Sequence, residues 1–197
     1  MKTGIMGGTF NPPHNAHLLI AELAREQYGL DRVIFITSGN PPHKSDFADA
    51  KDRFQMARLA IEGNNAFFDD DFEINREEKS YTVHTLEYLT KKYPSDELFF
   101  IIGEDSLCDL PKWYEPQKIL GMAKILVFPR KSQESLNCSL NRVCESFDGE
   151  ILPIDAPVIE ISSTDIRNRI KNGKTVKYML PDEVLRYIEE NNLYGRD

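Results

Sequence analysis

The chain alternates between short apolar runs and longer segments in which apolar residues recur every three or four positions. Runs of strand length fall at 32–37, 98–102, 124–128 and 150–154, and residues 1–6 are short and mostly apolar enough to be a buried first strand. In Val33-Ile34-Phe35-Ile36 and Leu98-Phe99-Phe100-Ile101-Ile102 no polar residue interrupts the run, which is the pattern of a strand covered on both faces. Helical spacing marks 18–28, 52–62 and 82–92; Gly29 and Gly63 follow the first two where helices favour glycine, and Pro94 stops the third. A last helix is expected over 181–191, with Val184, Leu185 and Ile188 at helical spacing. Parallel strands need helix-length connections, so the alternation predicts an α/β fold: a Rossmann-like open parallel sheet with helices on both faces. One domain is expected over 1–197, including a C-terminal helical segment from about 164.

Composition narrows the function. A length of 197 residues with 41% hydrophobic content suffices for one core without disulfides or structural metal. Cys108, Cys138 and Cys144 form neither an even framework nor a C-x-x-C pair, which suits a reducing compartment. No apolar run approaches the roughly eighteen residues that cross a bilayer, so a cytoplasmic protein without a membrane partner is expected. The formal charge of −8 argues against a nucleic-acid partner, which calls for a basic face. Positive charge is instead local: His14, His17, His43 with Lys44, Arg130 with Lys131, and Arg167 lie in or beside loop motifs. That distribution suits a small polyanion. The polar stretch 131–141 reads as a mobile loop leading into a helix.

The richest stretch is Gly7 to His17, GGTFNPPHNAH, placed where the first strand gives way to a helix. Glycines there let the backbone approach an anion, and the helix start points free amides at the same place. His14 and His17 stand one helical turn apart and point the same way, so both can donate to one phosphate. The cysteine and acidic spacings that would make them a zinc site are missing. Further loops follow the strands at the edge where open α/β sheets bind ligands: Thr37 to Lys44, which contains Asn40, and Gly103-Glu104-Asp105. Ser80 or Thr82 suits the cap of the third helix. Late in the chain Ser163 or Thr164 suits a helix cap, and Arg167 carries a forked cation in that helix's first turn.

These motifs resemble the nucleotidyltransferase superfamily. Its first signature, Gly-x-Phe-Asp-Pro with His-x-Gly-His, is met by Gly8 to His17 with Asn11 for the aspartate and Ala16 for the glycine. The second, Ser-Ser-Thr-x-Ile-Arg, is complete at Ser162 to Arg167. Between them Pro42-His43-Lys44, Ser80-Tyr81-Thr82 with Thr85-Leu86, and Trp113-Tyr114 resemble the bacterial-type nicotinate-nucleotide adenylyltransferases. The resemblance implies transfer of the AMP moiety of ATP to nicotinate mononucleotide, giving deamido-NAD and pyrophosphate in NAD biosynthesis. It implies that His14, His17, Lys44 and Arg167 act on the phosphates. Gly7, Gly8, Thr9, Phe10, Asn11, Asn40, His43, Gly103, Asp105, Arg130, Ser162, Ser163 and Thr164 are expected to contact the substrates. Thr85, by backbone or hydroxyl, and the Tyr114 amide would reach the pyridine carboxylate while Trp113 stacks on the ring. His84 is expected exposed and without a role. Mg²⁺ is expected as a cofactor carried mainly by the ATP phosphates, with no protein cluster dedicated to it.

Other readings start from the same residues. A pantetheine-phosphate adenylyltransferase usually has threonine where His14 stands and lacks the Trp113-Tyr114 element. A non-catalytic adenine-nucleotide sensor would keep the fold. A dehydrogenase lacks support because no Gly-x-Gly-x-x-Gly follows the first strand. The sequence leaves a homo-oligomer open.

Overall fold

A computed structural model describes residues 1–40, 47–129, 140, 143 and 147–195. The sequence expectations at His43, Lys44, Arg130 and the polar stretch 131–141, apart from Leu140, lie outside the described residues. Six parallel strands form one sheet: β1 (Lys2–Gly8), β2 (Arg32–Thr37), β3 (Phe67–Asp70), β4 (Glu97–Gly103), β5 (Lys124–Phe128) and β6 (Ile151–Pro153), in the order β3-β2-β1-β4-β5-β6. Among the described residues the helices with defined bounds are α1 (Asn15–Tyr28), α2 (Ala50–Ile61), α3 (Thr82–Lys92), α4 (Glu104–Asp109), α5 (Pro116–Met122), α6 (Ser163–Lys171) and α7 (Asp182–Glu190), with a 3₁₀ turn at Leu110–Lys112.

The strands read as uninterrupted apolar runs because both sheet faces are covered. Alternate residues feed opposite layers: Ile5, Ile34 and Phe100 pack with Leu86, Leu107 and Ile119, whereas Met6, Phe35 and Phe99 pack with Ile20, Ala21 and Ala57. Thus α1 and α2 cover one face, and α3, α4 and α5 cover the other. The chain winds outward from β1 to β3, then crosses through α3 to β4 on the other side of β1. This leaves the carboxyl ends of β1 and β4 adjacent, with their connections departing to opposite faces, the place where doubly wound sheets form a ligand crevice. A third apolar layer joins α2, α6 and α7 through Met56, Ile166, Val184 and Ile188.

Several boundaries differ from the sequence reading. Strand β3 was not expected; it is a sheet edge, with Phe68 exposed and Asp69 and Asp70 following it, so it lacks the apolar run of a central strand. Helix α1 starts at Asn15 rather than 18, with His14 as its cap residue, because Pro12 and Pro13 place the turn before it. Gly29 closes it in the left-handed conformation at φ 61°. The cap of α3 is Tyr81, without a side-chain hydrogen bond; the Ser80 hydroxyl instead accepts from the Asn40 amide. Ser162 caps α6 by accepting from the Asp165 amide at 3.1 Å, which frees Ser163 for a tertiary contact. The short helices α4 and α5 span too few residues for apolar periodicity to reveal them. No helix among the described residues is long and apolar enough to cross a membrane.

Candidate active site

A cavity of about 670 Å³ opens over the carboxyl ends of β1 and β4. Its first wall is the turn leaving β1. Phe10 sits there in the left-handed region at φ 48°, an uncommon conformation for a bulky residue, and is buried. Its ring packs tilted against Phe35 and stands perpendicular to His17, with the Phe10 and His17 ring centroids 5.2 Å apart. The His14 and His17 rings stack at 3.7 Å, and His17 Nδ1 accepts from the His14 backbone amide at 3.1 Å. An accepting Nδ1 leaves the His17 proton on Nε2, where the ring is a donor.

The late signature is bolted to this turn. Arg167 donates to the Asn11 carbonyl at 2.8 Å, and the Ser163 hydroxyl donates to the Pro12 carbonyl at 2.8 Å. Asn11 braces the turn: its side-chain oxygen accepts from the Tyr194 hydroxyl at 2.6 Å and from the Ala48 amide at 3.1 Å. Ala16 is buried beside the small hollow behind the histidines, so its methyl group is accommodated in packing.

Beneath the turn lies a cation that sequence reasoning missed. Arg53 on α2 is fully buried and donates to the carbonyls of Thr9, Ser38, Gly39 and Ala48 at 2.6 to 3.0 Å. It therefore ties the loops after β1 and β2 to the start of α2. Burial pulls its pKa below the ordinary value, yet a guanidinium keeps its proton under any physiological condition. The residue occupies a polar position within a helix, and nothing in its local pattern marks it as buried. At the same loop a Cβ on Gly39 would lie 2.1 Å from the Glu73 carbonyl, so only glycine permits this approach.

The opposite wall comes from the other sheet face: Ser80, Thr82, Thr85, Phe100 and Trp113, with Glu73 beneath. The Trp113 ring stands edge-on to Phe100 at 6.3 Å. Thr85 is buried and its hydroxyl donates to Glu73 Oε1, while its amide bonds the Tyr81 carbonyl at 3.4 Å. Glu73 is only 9% exposed, and burial pushes its carboxyl above the usual range. This acid too was missed, although it stands at the head of the block that contains Ser80 and Thr85.

Of the sequence-predicted residues, Gly7, Gly8, Thr9, Phe10, Asn11, His14, His17, Thr85, Gly103, Trp113, Ser162, Ser163, Thr164 and Arg167 all line this one cavity. Three others do not. Asn40 is exposed and joins the β2 loop to the lead-in of α3, its side chain donating to the Glu77 carbonyl. Asp105 is exposed on the first turn of α4, where Gly103 and Ser106 form the wall instead. Tyr114 is 52% exposed, its ring resting near Tyr81 and His84 rather than on the cavity. His84, expected exposed, is half-buried by those tyrosines.

The sequence matches the cytidylyltransferase-like family over residues 5–169. A protein of Desulfitobacterium hafniense described as "Probable nicotinate-nucleotide adenylyltransferase" is 42% identical, across 98% of this chain and 95% of the relative. A protein of Caldicellulosiruptor saccharolyticus with the same description is 41% identical, across 98% and 99%. Among solved structures, nicotinic acid mononucleotide adenylyltransferase of Plasmodium falciparum complexed with NaAD shares the fold with a TM-score of 0.80 at 21% identity, covering 98% of both chains. The same enzyme complexed with APC gives 0.77 at 20% identity, over 98% of this chain and 96% of that one. With relatives of this similarity along nearly its whole length, the chain belongs to the nicotinate-nucleotide adenylyltransferase family.

Proposed function

We propose that the cavity holds ATP and nicotinate mononucleotide side by side and transfers the adenylyl group of ATP to the mononucleotide's phosphate, giving deamido-NAD and releasing pyrophosphate. The observation that carries this reading is the hydrogen-bonded union of two signatures, Asn11 with Arg167 and Pro12 with Ser163, on the rim of one cavity that also holds the stacked histidines. Residues 156 apart in sequence meet where a polyphosphate needs donors from both sides. The remaining wall is aromatic and hydroxylic, suited to a pyridine ring bearing a polar substituent.

The chemistry needs no protein nucleophile, because the attacking phosphate oxygen is already anionic. An oxygen of the mononucleotide's phosphate attacks the α-phosphorus of ATP, the bond from that phosphorus to the bridging oxygen breaks, and pyrophosphate leaves. The protein's contribution is alignment and stabilisation of charge on the phosphoryl oxygens. His17 donates from Nε2, His14 and Arg167 stand beside it, and the first turns of α1 and α6 add amides. Lys44 is assigned to the same task by its family motif. No group of three or more His, Cys, Asp or Glu side chains among the described residues is arranged to hold a metal ion. Mg²⁺ arriving with ATP would accordingly take its ligands from phosphate oxygens and water, and it would neutralise the triphosphate. The cytoplasm is the proposed location, supported by a sequence whose three cysteines make neither an even framework nor a C-x-x-C pair.

One assay tests the reading: ATP and Mg²⁺ with nicotinate mononucleotide, nicotinamide mononucleotide or pantetheine phosphate, following pyrophosphate. Nicotinate mononucleotide is expected to give the highest catalytic efficiency. Release with pantetheine phosphate alone would move the chain to the neighbouring specificity, and no release with any acceptor would leave a nucleotide sensor.

A further inference from the structure

We propose that Tyr194, in the segment that follows α7, is a positioning residue for adenylyl transfer: through Asn11 it fixes the turn from which the imidazole pair and Arg167 are set toward the phosphates. The inference rests on the function proposed above and adds to it a part for the far end of the chain. Asn11 is where three distant segments meet. Its side-chain oxygen accepts from the Tyr194 hydroxyl at 2.6 Å and from the Ala48 amide at 3.1 Å, and its carbonyl accepts from Arg167 at 2.8 Å. The bond from Tyr194 is the shortest of the three and spans 183 residues of sequence. Asn11 is buried, lines the cavity and stands three residues before His14. Tyr194 lies outside the cavity lining, so it acts on the phosphates by way of Asn11.

The segment after α7 is shaped to deliver that hydroxyl. Asn192 and Tyr194 both take the left-handed conformation, at φ 52° and 60°, which is uncommon and costly for residues other than glycine. Between them the Leu193 amide turns back to the Ile188 carbonyl at 3.0 Å, and Leu193 and Tyr194 pack half-buried against the apolar layer of α2, α6 and α7. The Tyr187 hydroxyl donates to Asp52 at 2.8 Å, which fixes α7 on the helix that carries Arg53. The turn being held is itself strained: Phe10 is left-handed, with the Thr9 carbonyl bound by Arg53 on one side and the Asn11 carbonyl bound by Arg167 on the other. Such a conformation persists only where the surroundings over-determine it. Removing the hydroxyl takes away the shorter of the two bonds to the Asn11 oxygen while the phenyl ring keeps its packing. Charge stabilisation depends on donors that are in place before the reaction begins, so a small relaxation of the turn falls on turnover.

The experiment measures kcat and both KM values of Tyr194→Phe with ATP, Mg²⁺ and nicotinate mononucleotide, at a temperature well below the melting point of either protein. Turnover is expected to fall about five- to tenfold. The KM of nicotinate mononucleotide, whose proposed pocket lies at the other end of the cavity, stays as in the wild type. A lowered melting temperature with wild-type kcat gives the hydroxyl a purely structural part and overturns the proposal while the reaction stands. A cycle with Asn11 tests the route. Added to Asn11→Ala, Tyr194→Phe costs nothing further in turnover; added to Asn11→Asp, whose carboxylate still accepts the hydroxyl, it costs at least as much as in the wild type. The second arm keeps the cycle readable if Asn11→Ala does not fold. The same fall in every background, or a smaller one beside Asn11→Asp, overturns the proposal. Absence of pyrophosphate release from the wild type with every acceptor overturns the reaction and the proposal together.

Discussion

The two ends of the cavity are built in different ways. The end we assign to the phosphates is braced through its backbone: tight turns, helix starts, and carbonyls of Asn11 and Pro12 held by Arg167 and Ser163 across more than 150 residues of sequence. The acceptor end is made of side chains packed into the core: Thr85 on Glu73, Trp113 on Phe100. Backbone scaffolds tolerate little adjustment and fix geometry for charge stabilisation, whereas side-chain walls can be re-cut to admit a different acceptor without moving the phosphates. On this assignment catalysis and substrate choice are separable.

The strongest way to break that separation is to remove the buried cation under the phosphate end. Arg53→Met leaves the carbonyls of Thr9, Ser38, Gly39 and Ala48 without their donor and is expected to cost about 3 to 5 kcal/mol of stability, read from urea denaturation. A loss below about 1 kcal/mol would show that the loops hold themselves. Next comes His17→Ala, which removes a donor while leaving the fold intact. Turnover should fall on the order of a hundredfold to a thousandfold, with the KM of the acceptor nearly unchanged; full turnover would contradict the role given to the imidazole pair. Trp113→Ala sharpens the contrast from the other side. Losing the ring's partner should raise the KM of nicotinate mononucleotide several-fold, by about 1 kcal/mol, and leave ATP binding alone. An equal rise in both KM values would mean that the two ends are not independent.

The smallest effect is on stability at the acceptor end. Because burial raises the Glu73 carboxyl in the folded state, the folded protein keeps a proton that the unfolded chain releases. Stability is then fullest below the ordinary carboxylate range and declines as pH rises through it toward the folded value. The melting temperature of the wild type should fall relative to Glu73→Gln as pH is raised from about 4. Superimposed curves would place Glu73 in a site already wet enough to ionise freely.

The same division explains what could be read from sequence. Gly7, Gly8, His14, His17 and Ser162 to Arg167 were legible because each lies in a short contiguous motif, although Ser163 and Arg167 make their contacts far along the chain. The central strands were legible because double-sided burial writes an apolar run, which the edge strand β3 does not need. Arg53, Glu73 and Tyr194 were not, since each gains its importance by being buried against segments distant in the chain. Asp105, Asn40 and Tyr114 stand in the expected motifs with exposed side chains, and the expectation for Tyr114 concerns its backbone amide rather than its ring.

A protein with net charge −8 must nonetheless attract two polyanions. Arg53 bears on how, because its charge sits where mobile ions cannot reach it while most of the acids are bathed in them. Added salt damps the long-range repulsion from the acidic exterior more than it damps a cation sealed under the turn. Moderate salt should thus hinder uptake of the triphosphate less than the overall charge of the chain suggests.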